Sequence, residues 1–148
     1  MPVADLASEF SIHPDSSQFR PASDWLGREG QALGIPPEQI ARLDVCLNEV
    51  LANVLEHGGA SARSAPIRLR LARKRELDGV DATLTVTDAG AAFDPLAVVP
   101  GPRPQTLAEA TAGGLGLVMV RANADSLSYV YADGRNQLTI GVRWTGPK

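Results

Sequence analysis

Leu43, Leu47, Val50, Leu51 and Val54 recur at the three- and four-residue spacing of a single helix face, and they predict a helix that opens near Pro37-Glu38 and runs to His57. Gly58 and Gly59 follow it and are both expected to supply the left-handed backbone that helix ends favour. An earlier helix is expected from about Pro21, tolerated in a first turn because its missing N–H would have no partner there, to Leu33, with Gly34 closing it. Elsewhere the period is two. Phe10 and Ile12 alternate with Ser11 and His13 in a short strand ending at Pro14. Ile67, Leu69 and Leu71 alternate with Arg68 and Arg70, and Leu84 and Val86 alternate with Thr83, Thr85 and Thr87; Asp78-Gly79 is the expected turn between these strands. Two final strands, Leu127 to Tyr131 and Gln137 to Trp144, are joined by Asp133-Gly134, with Leu138, Ile140, Val142 and Trp144 on the inward face of the last.

Between Ala89 and Ala112 neither period persists. Pro95, Pro100, Pro102 and Pro104 break the chain, only Leu107 to Ala110 has helical character, and a stretch this long inside a domain predicts a lid over about 89–112. The run Gly113-Gly114-Leu115-Gly116 then leads into a third helix, expected from Leu117 to about Ala124. The order β, α, α, β, β, lid, α, β, β is incompatible with the regular alternation of a doubly wound parallel sheet. It predicts an α+β fold: a two-layer α/β sandwich with three main helices on one face of a mixed, mostly antiparallel sheet of about five strands. Arg68, Arg70, Thr83, Thr85 and Thr139 fall on the outer face.

Composition narrows the picture. At 148 residues, 44% hydrophobic and 21% charged, the chain fits a single domain over residues 1–148. A formal charge of −3 and a pI near 5.3 lack the basic excess that binding to nucleic-acid phosphates demands, so no direct nucleic-acid partner is expected. Cys46 stands alone, cannot form an internal disulfide, and is read as core; with no Cys/His cluster at zinc spacing, this suits a reducing cytoplasm. The start Met-Pro-Val-Ala-Asp has no basic region followed by an apolar run, and no window approaches the roughly twenty apolar residues of a membrane span. The expectation is a soluble cytoplasmic protein. Trp25 and Trp144 are expected in the core, and Tyr129 and Tyr131 are read as ordinary strand residues.

The candidate chemistry lies in three places. Glu49 and Asn53, one helical turn apart, stack beside the apolar stripe of the long helix. Asp88 is in phase with Leu84 and Val86 and therefore points inward, where a carboxylate is costly without a partner; Gly90 follows it with a freer backbone. A glycine-rich helix entry at Gly114, Leu115, Gly116 and Leu117 offers unpaired N–H groups and a positive dipole end to polyphosphate, without the Lys and Ser/Thr of a Walker motif. Together these suit ATP. The Asn53 carbonyl is a neutral oxygen ligand for Mg2+ that keeps waters and phosphate oxygens. Glu49 is placed as general base for a hydroxyl or water attacking the γ-phosphate. Asp88 accepts from the exocyclic amine of adenine and disfavours guanine, whose carbonyl it repels.

The chain resembles the GHKL ATPase superfamily, and within it the anti-sigma factor serine kinases of bacterial partner-switching systems. LNEVLANVLEHG at 47–58 matches the N box, VTDAGAAFDP at 86–95 the G1 box, and GGLGLVMVRANADSLSYV at 113–130 the G2 box and following strand. The resemblance covers roughly residues 8 to 144 and implies a Bergerat-type sandwich that binds Mg-ATP. It also implies phosphorylation of a serine on a STAS-domain anti-sigma factor antagonist, sequestration of a sigma factor, and a homodimer. Residue by residue it makes Glu49 the base, Asn53 the magnesium ligand, Asp88 the adenine carboxylate, Gly90 the G1 glycine, and Gly114 and Gly116 the phosphate loop. His57 matches the histidine that ends the N box, read here as a helix-end residue. Two positions depart from the pattern: Ala92 replaces a usual second G1 glycine, and Thr111-Ala112-Gly113 supplies no arginine beside the G2 glycines, for which Arg103 and Arg121 are the available substitutes. These departures motivate a second reading, a catalytically weak ATP-binding switch that holds a regulatory partner without phosphoryl transfer. A sensor histidine kinase ranks last, because no helix bearing a phospho-acceptor histidine precedes the N box.

Overall fold

Five strands form one sheet in the order β1-β2-β3-β5-β4, and every neighbouring pair runs antiparallel. The computed structural model describes residues 6–92, 94 and 112–145, and for 112–117 the backbone alone. Along the chain the elements are β1 (Leu6–Ile12), α1 (Phe19–Ala32), α2 (Pro37–His57), a one-turn α3 (Gly59–Ala62), β2 (Ile67–Glu76), β3 (Gly79–Asp88), α4 (Ala112–Asn123), β4 (Ser126–Ala132) and β5 (Arg135–Trp144). The sandwich expected from the chain is present, with the sheet at the fully antiparallel limit. The stretch expected to form the lid, together with Arg103 and the Leu107 to Ala110 patch, lies outside the described residues apart from 89–92, Asp94 and Ala112.

Alternation sets the two faces. Ile67, Leu69 and Leu71 on β2, Ala82, Leu84 and Val86 on β3, and Leu138, Ile140 and Val142 on β5 are all buried, and they meet Trp25 and Leu26 of α1 and Leu43, Leu47 and Leu51 of α2. Arg68 and Arg70 lie on the outer face, where Arg70 sits 3.6 Å from Glu9, and the Thr85 and Thr139 hydroxyls meet across β3 and β5 at 3.2 Å. Trp25 is sealed in the core, stacked on Phe10 with ring centroids 5.7 Å apart, and its indole N–H donates to Ser8 Oγ. Trp144 is only half-buried, at the end of β5 where the core thins.

Turns follow local chemistry. Asp133 and Gly134 both adopt positive φ, 54° and 73°, which gives the two-residue β4–β5 hairpin the twist its strands require. Gly34, at φ 78°, ends α1, whose last carbonyls also draw Arg73: its guanidinium donates to Leu33 O at 3.1 Å. Gly30 is buried where Ile40 crosses, and a Cβ there would stand 2.9 Å from the isoleucine. Two boundaries differ from expectation. Gly58 is right-handed (φ −73°) and only Gly59 is left-handed (φ 68°), because the chain turns directly into α3. α4 begins at Ala112 rather than Leu117, so the glycine run is helical; packing along α2 outweighs the roughly 1 kcal/mol that each glycine costs relative to alanine.

A polar clasp closes the far end of the helix layer. Arg42 of α2 donates to both oxygens of Asp125, at 3.0 and 3.2 Å, and Arg143 N donates to Asp125 Oδ2 at 2.7 Å. The Arg42 hydrogen bond holds the Asp125 carboxyl below the usual carboxylate range, against the opposing effect of burial. None of the described helices is long and apolar enough to cross a membrane.

Two outcomes are expected. Burial pushes the Cys46 thiol up to about 11, and its sulfur lies against Val120 O, so a disulfide-exchange reagent at pH 8 should label it only on unfolding. Asp125 is depressed in the folded state, so its contribution is complete above the ordinary carboxylate range and disappears as pH falls through the folded value. Its side chain is 43% exposed, so Asp125→Asn should cost under about 1 kcal/mol at pH 7, and denaturant melts of the two proteins should converge in acid.

Candidate functional site

Asp88 ends β3 at an inward position and is 6% exposed. Gly90 N donates to its Oδ1 at 2.8 Å and Asn136 Nδ2 to the same oxygen at 3.1 Å. Its Oδ2 receives no hydrogen bond from the described residues. Asn136 sits directly across from Asp88 in the β3–β5 register, and its amide also donates to Gly90 O and Ala91 O at 3.2 and 2.9 Å. The Tyr129 hydroxyl donates to Asn136 Oδ1, so a residue read from the chain as ordinary strand is tied to the site.

The turn after Asp88 is also docked on α2. Ala91 N donates to Gly58 O at 3.1 Å, and the two glycine Cα atoms pass so closely that a Cβ on Gly90 would lie 2.9 Å from Gly58 Cα and 2.9 Å from Asp88 Oδ1. A Cβ on Gly58 would collide with Ala62 Cβ and Val54 O. The carboxy end of α2 and the turn that carries Asp88 are therefore held in contact by two bare backbones. Along α2 at about 1.5 Å per residue, Asn53 lies about 7.5 Å before Gly58, and Glu49 about 6 Å further.

Asn53 is 8% exposed, yet its carboxamide has no hydrogen-bond partner among the described residues. A buried amide left open in this way is costly unless something else engages it. The one side-chain polar atom that is both sealed from solvent and unpartnered among the described residues is Asp44 Oδ1, so the amide of Asn53 is reachable. Glu49 is half-buried on the same side of the helix, one turn away. His57 lies exposed in the last turn of α2.

α4 runs antiparallel to α2, since Val120 lies against Cys46 and Asp125 against Arg42. Continued at the same rise, that register brings the amino-terminal turn of α4 to the Val50–Asn53 turn of α2. With the helix starting at Ala112, the N–H groups within it that have no intrahelical partner are those of its first three residues, 112–114. Of the residues expected to form the phosphate nest, Gly114 belongs to this open turn, and Leu115, Gly116 and Leu117 follow it along the same helix. Arg121 is exposed in the last turn of α4, at the opposite end from the glycines.

The groups fit Mg-ATP. An open carboxamide suits magnesium, which takes most of its oxygens from water and phosphate, and among the described residues no three His, Cys, Asp or Glu side chains converge as an all-protein cage would require. The uncommitted Oδ2 of Asp88 suits an amine donor. Of these features, Asn136 and Gly58 were not read from the chain as site residues. Asn136 had the same signal as Asp88, a polar residue in phase with Leu138, Ile140 and Val142.

Comparison with known proteins agrees with this fold. The family model described as the histidine kinase-like ATPase domain matches residues 12–142. The serine/threonine-protein kinase BtrW of Bordetella bronchiseptica is 35% identical over 98 residues, 66% of this chain and 66% of that protein. Among solved structures, the RsbU and RsbW domains of Rv1364c from Mycobacterium tuberculosis superpose with a TM-score of 0.60 at 17% identity, over 92% of this chain and 32% of that one. The SiaB–SiaC complex of Pseudomonas aeruginosa gives 0.62 at 15% identity, over 91% of this chain and 88% of the matched one. The match thus spans just under two thirds of BtrW and about a third of Rv1364c.

The backbone contact at Gly58 and Gly90 leads to a direct expectation. Gly90→Ala and Gly58→Ala should each lower stability by about 1–3 kcal/mol in urea melts, the usual cost of overpacking, whereas Gly27→Ala, with open space at its Cβ, should not destabilise.

Proposed function

Because the chain belongs to the histidine kinase-like ATPase domain family, matched across residues 12–142, we propose that it is a GHKL-type, ATP-dependent protein serine/threonine kinase. Its substrate is a serine on a STAS-domain anti-sigma factor antagonist, and the same chain sequesters a sigma factor, working as a homodimer in the cytoplasm. The observation that carries the nucleotide half is that two buried residues keep an uncommitted polar group, the Asn53 carboxamide on α2 and Asp88 Oδ2 at the end of β3, whose elements meet at the Gly58–Gly90 contact. Support for the kinase half comes from the 35% identity to a serine/threonine-protein kinase. Support for a protein partner comes from the resemblance to partner-switching kinases and from the fold likeness to a protein solved in complex with another.

In this reading each residue has one task. Asp88 accepts the adenine amine through Oδ2, and its burial makes a mispaired carbonyl costly. The open amides of the first turn of α4, at its positive dipole end, receive phosphate oxygens. Asn53 would hold Mg2+ through one neutral oxygen, and the charge such an ion supplies would offset that of the phosphates. Glu49 takes the proton of the attacking serine hydroxyl; the serine oxygen bonds to the γ-phosphorus as the bond from that phosphorus to the bridging oxygen breaks, and ADP leaves. Ala92 and the lack of an arginine beside the G2 glycines favour a second reading, an ATP-binding switch that holds its partner without transfer.

One set of measurements separates the two. Incubation with γ-labelled ATP and a STAS-domain protein should yield phosphoserine, and Glu49→Ala should abolish it while leaving ATP affinity within a few fold of the parent. Asp88→Asn should weaken ATP binding by roughly tenfold to a hundredfold in calorimetry, the range for a lost hydrogen bond to a charged group. Tight binding with no transfer would favour the switch, and absence of ATP binding would sink both readings.

A further inference from the structure

Asn136 holds an inward position on β5 among core residues, and its surroundings leave its amide one orientation. The Tyr129 hydroxyl donates to Oδ1, while Nδ2 faces three acceptors: Asp88 Oδ1 at 3.1 Å, Gly90 O at 3.2 Å and Ala91 O at 2.9 Å. Turning the amide over would set its carbonyl against a carboxylate and two carbonyls. The amide N–H and Gly90 N–H together occupy Asp88 Oδ1. A free carboxylate has two equivalent oxygens and can rotate between them; this one cannot.

We propose that Asn136 is a positioning residue for base recognition, which commits one oxygen of Asp88 and leaves Oδ2 as a single directed acceptor that selects a purine with an amine at C6 over one with a carbonyl. Because the same amide binds both carbonyls of the Gly90–Ala91 turn, it also sets where that acceptor stands relative to α2, through the Gly58 contact. Tyr129 acts one step further out, by fixing which edge of the amide faces Asp88. The inference rests on the reading of Asp88 as the residue that meets the base.

The test compares ATP with inosine 5′-triphosphate, which carries a carbonyl at C6, by calorimetry on the full chain. The parent should prefer ATP. Asn136→Leu, similar in volume but without a donor, should bind ATP roughly tenfold to a hundredfold more weakly and the inosine nucleotide as the parent does, so that the preference collapses. Tyr129→Phe, a milder change on the edge strand, should move the preference several-fold in the same direction and serves if the leucine variant does not fold by near-UV circular dichroism. A purely structural role would weaken both nucleotides equally and leave the ratio intact, which overturns the inference. Full preference retained by the variants overturns it as well, with the Asp88 reading intact. A parent that binds neither nucleotide, or binds both alike, removes the Asp88 reading and this inference with it.

Discussion

A carboxylate buried at the end of a core strand has to be compensated, and the architecture around Asp88 is arranged to do so. Left alone, such a charge would cost several kcal/mol. Here Gly90 turns its N–H back onto Oδ1, β5 brings Asn136 to the same oxygen, and β4 brings Tyr129 to Asn136. Three strands and the turn leaving β3 thus converge on one acceptor. Because the antiparallel register places Asp88 opposite Asn136, a one-residue slip of β5 would replace the amide by Arg135 or Gln137 and reverse every inward side chain of that strand.

The second constraint is the length of α2, 21 residues. Its apolar face, Leu43, Leu47, Val50, Leu51 and Val54, is locked into the core, so the neighbouring face cannot rotate. Glu49 and Asn53 are therefore spaced by the helix itself, and the Gly58–Gly90 contact sets the distance from that row to Asp88. Packing that stabilises the fold also aligns the candidate site. The exception is the amide of Asn53, which the described residues leave without a partner on a residue only 8% exposed, a place suited to a ligand.

Much of this was legible in the chain because it follows from local periodicity. The bounds of α2, the two-residue turn at Asp133-Gly134 and the inward phase of Asp88 all come from counting positions. The kinase relative and the family match agree with the family resemblance read from the chain. Asn136 was missed although its phase was as readable as that of Asp88, since no motif drew attention to it. The start of α4 was misplaced because glycine propensity argues for a loop, and only packing against α2 overrides it.

By itself, then, the amino-acid order determined which residues face inward, where the turns fall, and which polar groups share a helix face, since each depends on neighbours a few positions away. Tertiary structure alone decided that Asn136 meets Asp88, that Gly58 and Gly90 touch backbone to backbone, and that α4 runs antiparallel along α2. Those pairings join segments far apart in the chain. They rest on strand register, helix crossing and steric contact, quantities that no local spacing encodes.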